Sequence, residues 1–172
     1  MALKWIGVLL LISMSTALGW EWGRALKQRP KHIQLFLQSL QILEAEMVYS
    51  QVPLQEAFQI IGKKIPNPIA IFYQEVAEEL KNQEKDFDEI WSGGVRKLIE
   101  QSSLQKSELE ILIQFGRTLG QHDIEQQQKH LKLTNLYLEE QWKKAAERFN
   151  TYGKLSNVLG LLCGIFLALL FI

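Results

Sequence analysis

The chain reads as an all-α protein: a six-helix cytoplasmic bundle flanked by an N-terminal and a C-terminal transmembrane helix. Three observations carry that reading. Both ends are apolar. Trp5–Trp20 and Leu155–Ile172 hold no charged residue, and every Lys, Arg, Asp and Glu except Lys4 and Glu21 lies between Gly23 and Lys154. The stretch between the ends is rich in Leu, Glu, Gln and Lys and poor in Gly and Pro, which favours helices. Its apolar residues recur every three or four positions, and no strand-like alternation persists. The expected organisation is therefore a membrane helix over 1–22, a bundle over 23–154 and a second membrane helix over 155–172.

The C-terminal segment is the clearer anchor. As a helix, Leu155–Ile172 spans about 27 Å at ~1.5 Å per residue, close to the hydrocarbon core of a bilayer. Gly160 and Gly164 lie four apart in it, a spacing that lets two helix backbones approach closely in lipid. Cys163, the only cysteine, excludes an internal disulfide and reads as a small apolar residue. At the other end, Trp5–Leu18 is apolar, and Ala17-Leu18-Gly19 offers an alternative reading as a signal-peptidase site. Trp20 and Trp22 instead suit an interfacial position. Arg24, Lys27, Arg29 and Lys31 follow the first segment, and Lys143, Lys144, Arg148 and Lys154 precede the second. Positive charge resists translocation, so the centre is expected in the cytoplasm and both termini outside.

Each bundle helix has its own signals. Ile33, Phe36, Leu40, Leu43 and Met47 form the first stripe. Pro53 suits a first helical position, opening a helix with Leu54, Ala57, Phe58 and Ile61 that Gly62 and Lys63-Lys64 close. Pro66 and Pro68 precede a third helix with Ile69, Phe72, Val76 and Leu80. The fourth carries Phe87, Ile90, Trp91, Val95 and Leu98, with Gly93-Gly94 expected to weaken or kink it. Ser107 and Glu110 predict a capping box for a fifth helix bearing Leu109, Leu112, Ile113, Gly116 and Leu119. Gly120 is placed to end it. Asp123 is placed to start a long sixth helix with Leu131, Leu138, Trp142, Ala145 and Phe149. That helix either breaks at Tyr152-Gly153 or runs into the second anchor.

Chemistry is sparse. No Gly-rich phosphate loop, Cys-x-x-Cys or His-Glu-x-x-His occurs, so no enzyme class is indicated and no cofactor is expected. Zero net charge leaves no basic footprint for nucleic acid. His122 and His130 are two turns apart, unlike the usual metal spacing, and read as capping or surface residues along with His32. Glu44 and Glu46 face different sides of a helix and make no catalytic pair. The remaining signal is acidic. Glu75, Glu78, Glu79, Glu84, Asp86, Asp88 and Glu89 cluster around the third and fourth helices, partly offset by Lys81 and Lys85. They form either a solvated face or a docking surface for a basic partner. Arg117, on the charged rim of the Gly116–Asp123 turn, joins that candidate interface, and Gly116 suggests a close helix–helix approach.

Two stretches are specific in combination. Leu40-Gln-Ile-Leu-Glu-Ala-Glu-Met-Val-Tyr49 with Pro53-Leu-Gln-Glu-Ala57 is one. Lys106-Ser-Glu-Leu-Glu-Ile-Leu-Ile-Gln-Phe-Gly-Arg-Thr-Leu-Gly-Gln-His-Asp123 with Gln128-Lys-His130 is the other. Together they resemble the stage III sporulation protein AB family of endospore-forming bacteria, over nearly the whole chain. The resemblance implies a bundle similar to the cytoplasmic domain of type II secretion and type IV pilus platform proteins. It also implies a platform role in the channel complex linking mother cell and forespore, in the mother-cell membrane. Its implied partners are the sporulation AA ATPase and other membrane subunits. Larger platform proteins carry two such domains, so this single one is expected to self-associate, with Gly160 and Gly164 as one route. A membrane-anchored regulator sequestering a cytoplasmic factor is the competing function class, and a metal enzyme using His122 and His130 a third.

Overall fold

The computed structural model describes the backbone of residues 2–82, 85–119 and 124–171, and the side chains chiefly of residues 26–82, 85–119 and 126–153. Among these residues six α-helices follow one another: α1 (Ala2–Ala45), α2 (Leu54–Lys64), α3 (Ile69–Asn82), α4 (Phe87–Gln101), α5 (Lys106–Thr118) and α6 (Ile124–Phe171). No strand occurs among the described residues. Two compact units result, residues 31–143 and residues 1–30 with 144–172.

In the 31–143 unit, α1 buries Ile33, Phe36, Leu40 and Leu43, the stripe its periodicity predicts. Met47, the next member, falls in a π-helical turn, Glu46–Ser50, and is only half-buried. There the Gln51 and Val52 amides both donate to the Glu46 carbonyl, and Gln51 takes the left-handed region at φ 51°. Pro53 disfavours helical geometry in the residue before it, which ends the turn. Its own carbonyl then accepts the Ala57 amide at 3.0 Å to begin α2, so Pro53 is the N-cap rather than the first helical position expected.

α2, α3, α4 and α5 pack in sequence, each on the next. Two glycines set the spacing between the earlier helices. A Cβ on Gly62 would lie 2.6 Å from Gln74 Cγ, and Gln74 Nε2 donates to the Gly62 carbonyl at 2.7 Å, drawing α2 onto α3. A Cβ on Gly94 would lie 2.9 Å from Val76 Cγ2 and 3.1 Å from the Phe72 ring. The expectation that Gly93-Gly94 would weaken α4 is therefore corrected. The helix continues from Phe87 to Gln101, and Gly94 is the residue that lets α3 approach. Gly93 faces open space.

The centre of the unit is aromatic. Trp91 is fully buried and contacts Phe58, Phe72, Tyr73, Phe87 and Phe115, with centroids 5.1–6.3 Å away. Its indole N–H donates to the Leu112 carbonyl at 2.7 Å, which satisfies its polar atom inside the core. Gly116, one turn on, lies against the indole, and a Cβ there would overlap Cδ1. Tyr73, also fully buried, shares a 2.9 Å hydrogen bond with Ser39, whose hydroxyl in turn donates to the Phe36 carbonyl at 2.6 Å. Burial pushes the Tyr73 phenol far above its ordinary range, the Ser39 bond opposing, so it remains a neutral hydrogen-bonding group.

The start of α5 also differs from expectation. The cap is not Ser107 with Glu110, because the helix opens at Lys106 and its N-cap is Gln105. Glu108 reaches back to accept the Gln105 amide at 2.6 Å and receives the Ser107 hydroxyl at 3.1 Å. This places Glu108, Leu112, Phe115, Gly116 and Leu119 inside, while Leu109 and Ile113 are only half-buried.

α6 buries Leu131, Thr134 and Leu138 and continues helical through Tyr152 and Gly153 to Phe171. The Gly120 stop and Asp123 cap lie outside the described residues. So do most side chains of both apolar ends, including the surroundings of Gly160, Cys163 and Gly164. Both ends are helical in backbone, and among the described residues no helix is long and apolar enough to cross a membrane.

Gly116→Ala should destabilise the fold by about 1–3 kcal/mol, since Trp91 is locked on every side and cannot yield. Gly93→Ala, whose Cβ meets nothing, should be neutral or mildly stabilising. Urea unfolding followed by circular dichroism reads both; equal midpoints for the two variants would contradict the packing account.

Candidate interaction face

The acidic residues fall on the outer half of α3 and the first turn of α4. Their placement there has a local cause. Asp86 precedes α4 in extended backbone and its carbonyl accepts the Ile90 amide at 3.1 Å. Asp88 and Glu89 occupy the first turn, where the helix dipole favours negative charge. Part of this acidity is thus what any α-helix start prefers.

Among the described residues three ion pairs run across the face. Glu75 of α3 meets Lys97 of α4 at 2.8 Å. Glu79 meets Lys85 at 3.8 Å across the α3–α4 turn. Asp88 meets the Arg117 Nε at 3.9 Å, joining the start of α4 to the end of α5. Glu75, Glu79, Asp88 and Arg117 are therefore brought into pairs, while Glu78, Asp86 and Glu89 are exposed. Glu84 lies outside the described residues. Gly116 sits one residue before Arg117 but points the other way, under Trp91. Lys97 carries no obvious sequence signal, because its partner is 22 positions away and reached only through α3–α4 packing.

Other polar groups play structural parts. Glu46 pairs with Lys64 at 3.4 Å, which ties the π-helical turn to the end of α2. His32 Nδ1 accepts the Ser103 amide at 3.1 Å, fastening α1 to the loop between α4 and α5. Burial, then the neighbouring Lys31 charge, lowers its pKa from the ordinary 6.5. The two groups are 71 residues apart, so spacing gave no hint of the contact. His130 is half-buried on α6 and His122 lies outside the described residues. Among the described residues no group of His, Cys, Asp and Glu is arranged to hold a metal ion.

Two outcomes follow. The face's ion pairs are half-exposed, and such pairs contribute ~0–1 kcal/mol each. Glu78→Lys and Glu79→Lys should therefore leave the urea midpoint nearly unchanged; a collapse would mean the face is structural. His32 behaves differently. Its folded pKa is lowered, so the unfolded chain binds the proton more readily, and its contact stabilises fully above pH 6.5. That contribution fades as pH falls from 6.5 to the lowered folded value. Relative to His32→Gln, wild type should lose stability between pH 7.5 and 5.5; parallel curves would contradict this contribution.

Comparison with known proteins agrees over the whole chain. The family model described as stage III sporulation protein AB matches residues 4–172. The stage III sporulation protein AB of Bacillus subtilis (strain 168) is 34% identical over 168 residues, covering 98% of each chain. A solved structure of a stage III sporulation protein AB superposes with TM-score 0.67 at 36% identity, covering 71% of this chain and 96% of that one. At that identity and coverage, the chain belongs to the stage III sporulation protein AB family.

Proposed function

We propose that the chain is a non-catalytic membrane platform subunit of a secretion-like channel between mother cell and forespore. In this reading it couples a cytoplasmic ATPase, the sporulation AA ATPase, to assembly of the membrane apparatus. The single observation that carries the proposal is the extent of the family match. It runs from residue 4 to residue 172 and so includes both apolar ends as well as the helical centre.

Membrane insertion of those ends is part of the proposal. Met14, Leu162 and Phe166 are each more than half exposed, in terminal segments whose sequences carry no charged residue. Leu162 and Phe166, four apart, share one face. Side chains of this size facing outward fit lipid. Lys and Arg flank both segments on the side of the helical centre, which orients that centre to the cytoplasm and the termini outward. The same charges favour anionic headgroups. The α3–α4 face supplies exposed acids for a basic partner, where complementary charge steers encounter and selects partners.

Topology is the first test. Reporter cysteines at Gln83 and just beyond Ile172, in a Cys163→Ala background, are labelled in intact cells with an impermeant reagent. The terminus should label and Gln83 should not. Labelling at Gln83 would place the helical centre outside and end the ATPase reading. Binding is the second. Glu78→Lys with Glu79→Lys should reduce co-purification with the ATPase, most visibly at low salt; retained binding would leave this face a solvated one.

A further inference from the structure

Zero net charge conceals a division. The chain carries 19 Lys and Arg and 19 Asp and Glu. Residues 1–30 and 144–172, one compact unit, hold seven of the cations and only two of the carboxylates, Glu21 and Glu147, which leaves a formal +5. The 31–143 unit holds the other twelve cations and seventeen carboxylates, which leaves −5.

Within the cationic unit the charges gather where the apolar runs stop. Arg24 and Lys27 are both exposed on α1, shortly after the uncharged run that ends at Trp20, and at three apart they share a face. On α6, Lys144, Arg148 and Tyr152 lie four apart and are all exposed, Tyr152 by 58%, just ahead of the uncharged run from Leu155. The other side of α6 at this level is packed, since Ala145 is buried and Phe149 covers Gly153. Arg24 and Lys144 also interact within the chain. Lys27 and Arg148 form no ion pair among the described residues. Glu147, exposed in the same turn as Arg148, is the one carboxylate beside this α6 face within the unit. Earlier on α6 the exposed residues are apolar instead, with Leu133, Leu136 and Tyr137 exposed by 38%, 61% and 54%.

We infer that the cationic unit binds the headgroups of anionic phospholipids, through Lys27 and Arg148 above all. The inference rests on the membrane reading of the apolar ends and names the lipid that reading requires. Three features favour a lipid surface over an acidic protein. The free cations adjoin uncharged runs, so insertion of those runs brings them to the level of the headgroup phosphates. The planar guanidinium of Arg148 suits two phosphate oxygens at once. The Tyr152 ring is apolar with a polar tip, the shape that settles at a membrane interface. Each Lys or Arg near an anionic bilayer strengthens binding roughly fivefold. The −5 unit gains nothing from such a surface, so a chain neutral as a whole still prefers anionic lipid.

Spin-labelled phosphatidylglycerol and phosphatidylcholine measure that preference, in vesicles of the two lipids holding the full-length chain. Wild type should immobilise the phosphatidylglycerol label more than the phosphatidylcholine label, and high salt should remove most of the difference. Lys27→Gln with Arg148→Gln should lower the preference by about half or more. Lys27→Arg with Arg148→Lys should retain it. Lys63→Gln, which removes an exposed cation from the −5 unit, should leave it unchanged. Equal immobilisation of the two lipids by wild type would overturn the inference. So would an undiminished preference in the double Gln variant, or an equal loss with Lys63→Gln. A double Gln variant that keeps its lipid preference and loses self-association in light scattering would show that the +5 unit meets another copy instead. An alkaline wash separates this inference from the reading beneath it. A chain stripped from the vesicles by alkali defeats the membrane proposal, whereas a chain that resists the wash and shows no lipid preference defeats only the lipid site.

Discussion

The seating of Trp91 on Gly116 organises the helical unit. An indole placed across a helix backbone needs a residue without a side chain beneath it, and α5 provides one. The same indole must satisfy its N–H in a dry core, and the Leu112 carbonyl, one turn earlier on α5, accepts it. These two contacts fix both the separation and the register of α4 against α5. Once α4 is fixed, Gly94, three residues after Trp91, meets Phe72 and Val76, which sets α3. Gly62 repeats the device between α3 and α2. Three of the helix–helix steps thus depend on a backbone approached closely, with large rings filling the space that results.

This arrangement separates the inside from the surface that carries charge. The aromatic core draws its stability from ring contacts and burial, whereas the acids on α3 and α4 sit outside it and are linked only by exposed pairs. The Asp88–Arg117 pair is instructive. Its two residues belong to the helices that Trp91 and Gly116 lock together, so their approach follows from core packing and adds little to it. Charges of this kind can change without cost to the fold, which leaves them open to selection for a partner.

Much of the fold was legible in the sequence because it is written in periodicity. The stripe Ile33, Phe36, Leu40 and Leu43 is read directly from its spacing, as are the Pro-marked starts of α2 and α3. The misreadings share a cause. Glycine weakens a helix as a local propensity, yet at Gly94 the gain from a close neighbour outweighs that propensity, and the neighbour is invisible to a local reading. At α5 the choice between Ser107–Glu110 and Gln105–Glu108 depends on where the preceding loop is fastened, and His32 fastens it from 71 residues away. The missing members of the α5 stripe, Phe115 and Glu108, follow from that shift in starting point. The face carrying Glu75 and Asp88 was visible as composition, but Lys97 and Arg117 become its partners only through tertiary packing.

The exposed stripe on α6 shows how these levels combine. Periodicity alone marks Leu131 and Leu138 as inward, and they are. It also places Leu133, Leu136 and Tyr137 together, but a helix with apolar residues on two opposite faces has no single inward side in sequence terms. Only the packed unit decides which face is spent on the core. The face left over belongs to a helix that continues unbroken past Gly153, where Phe149 covers the glycine backbone in place of a side chain.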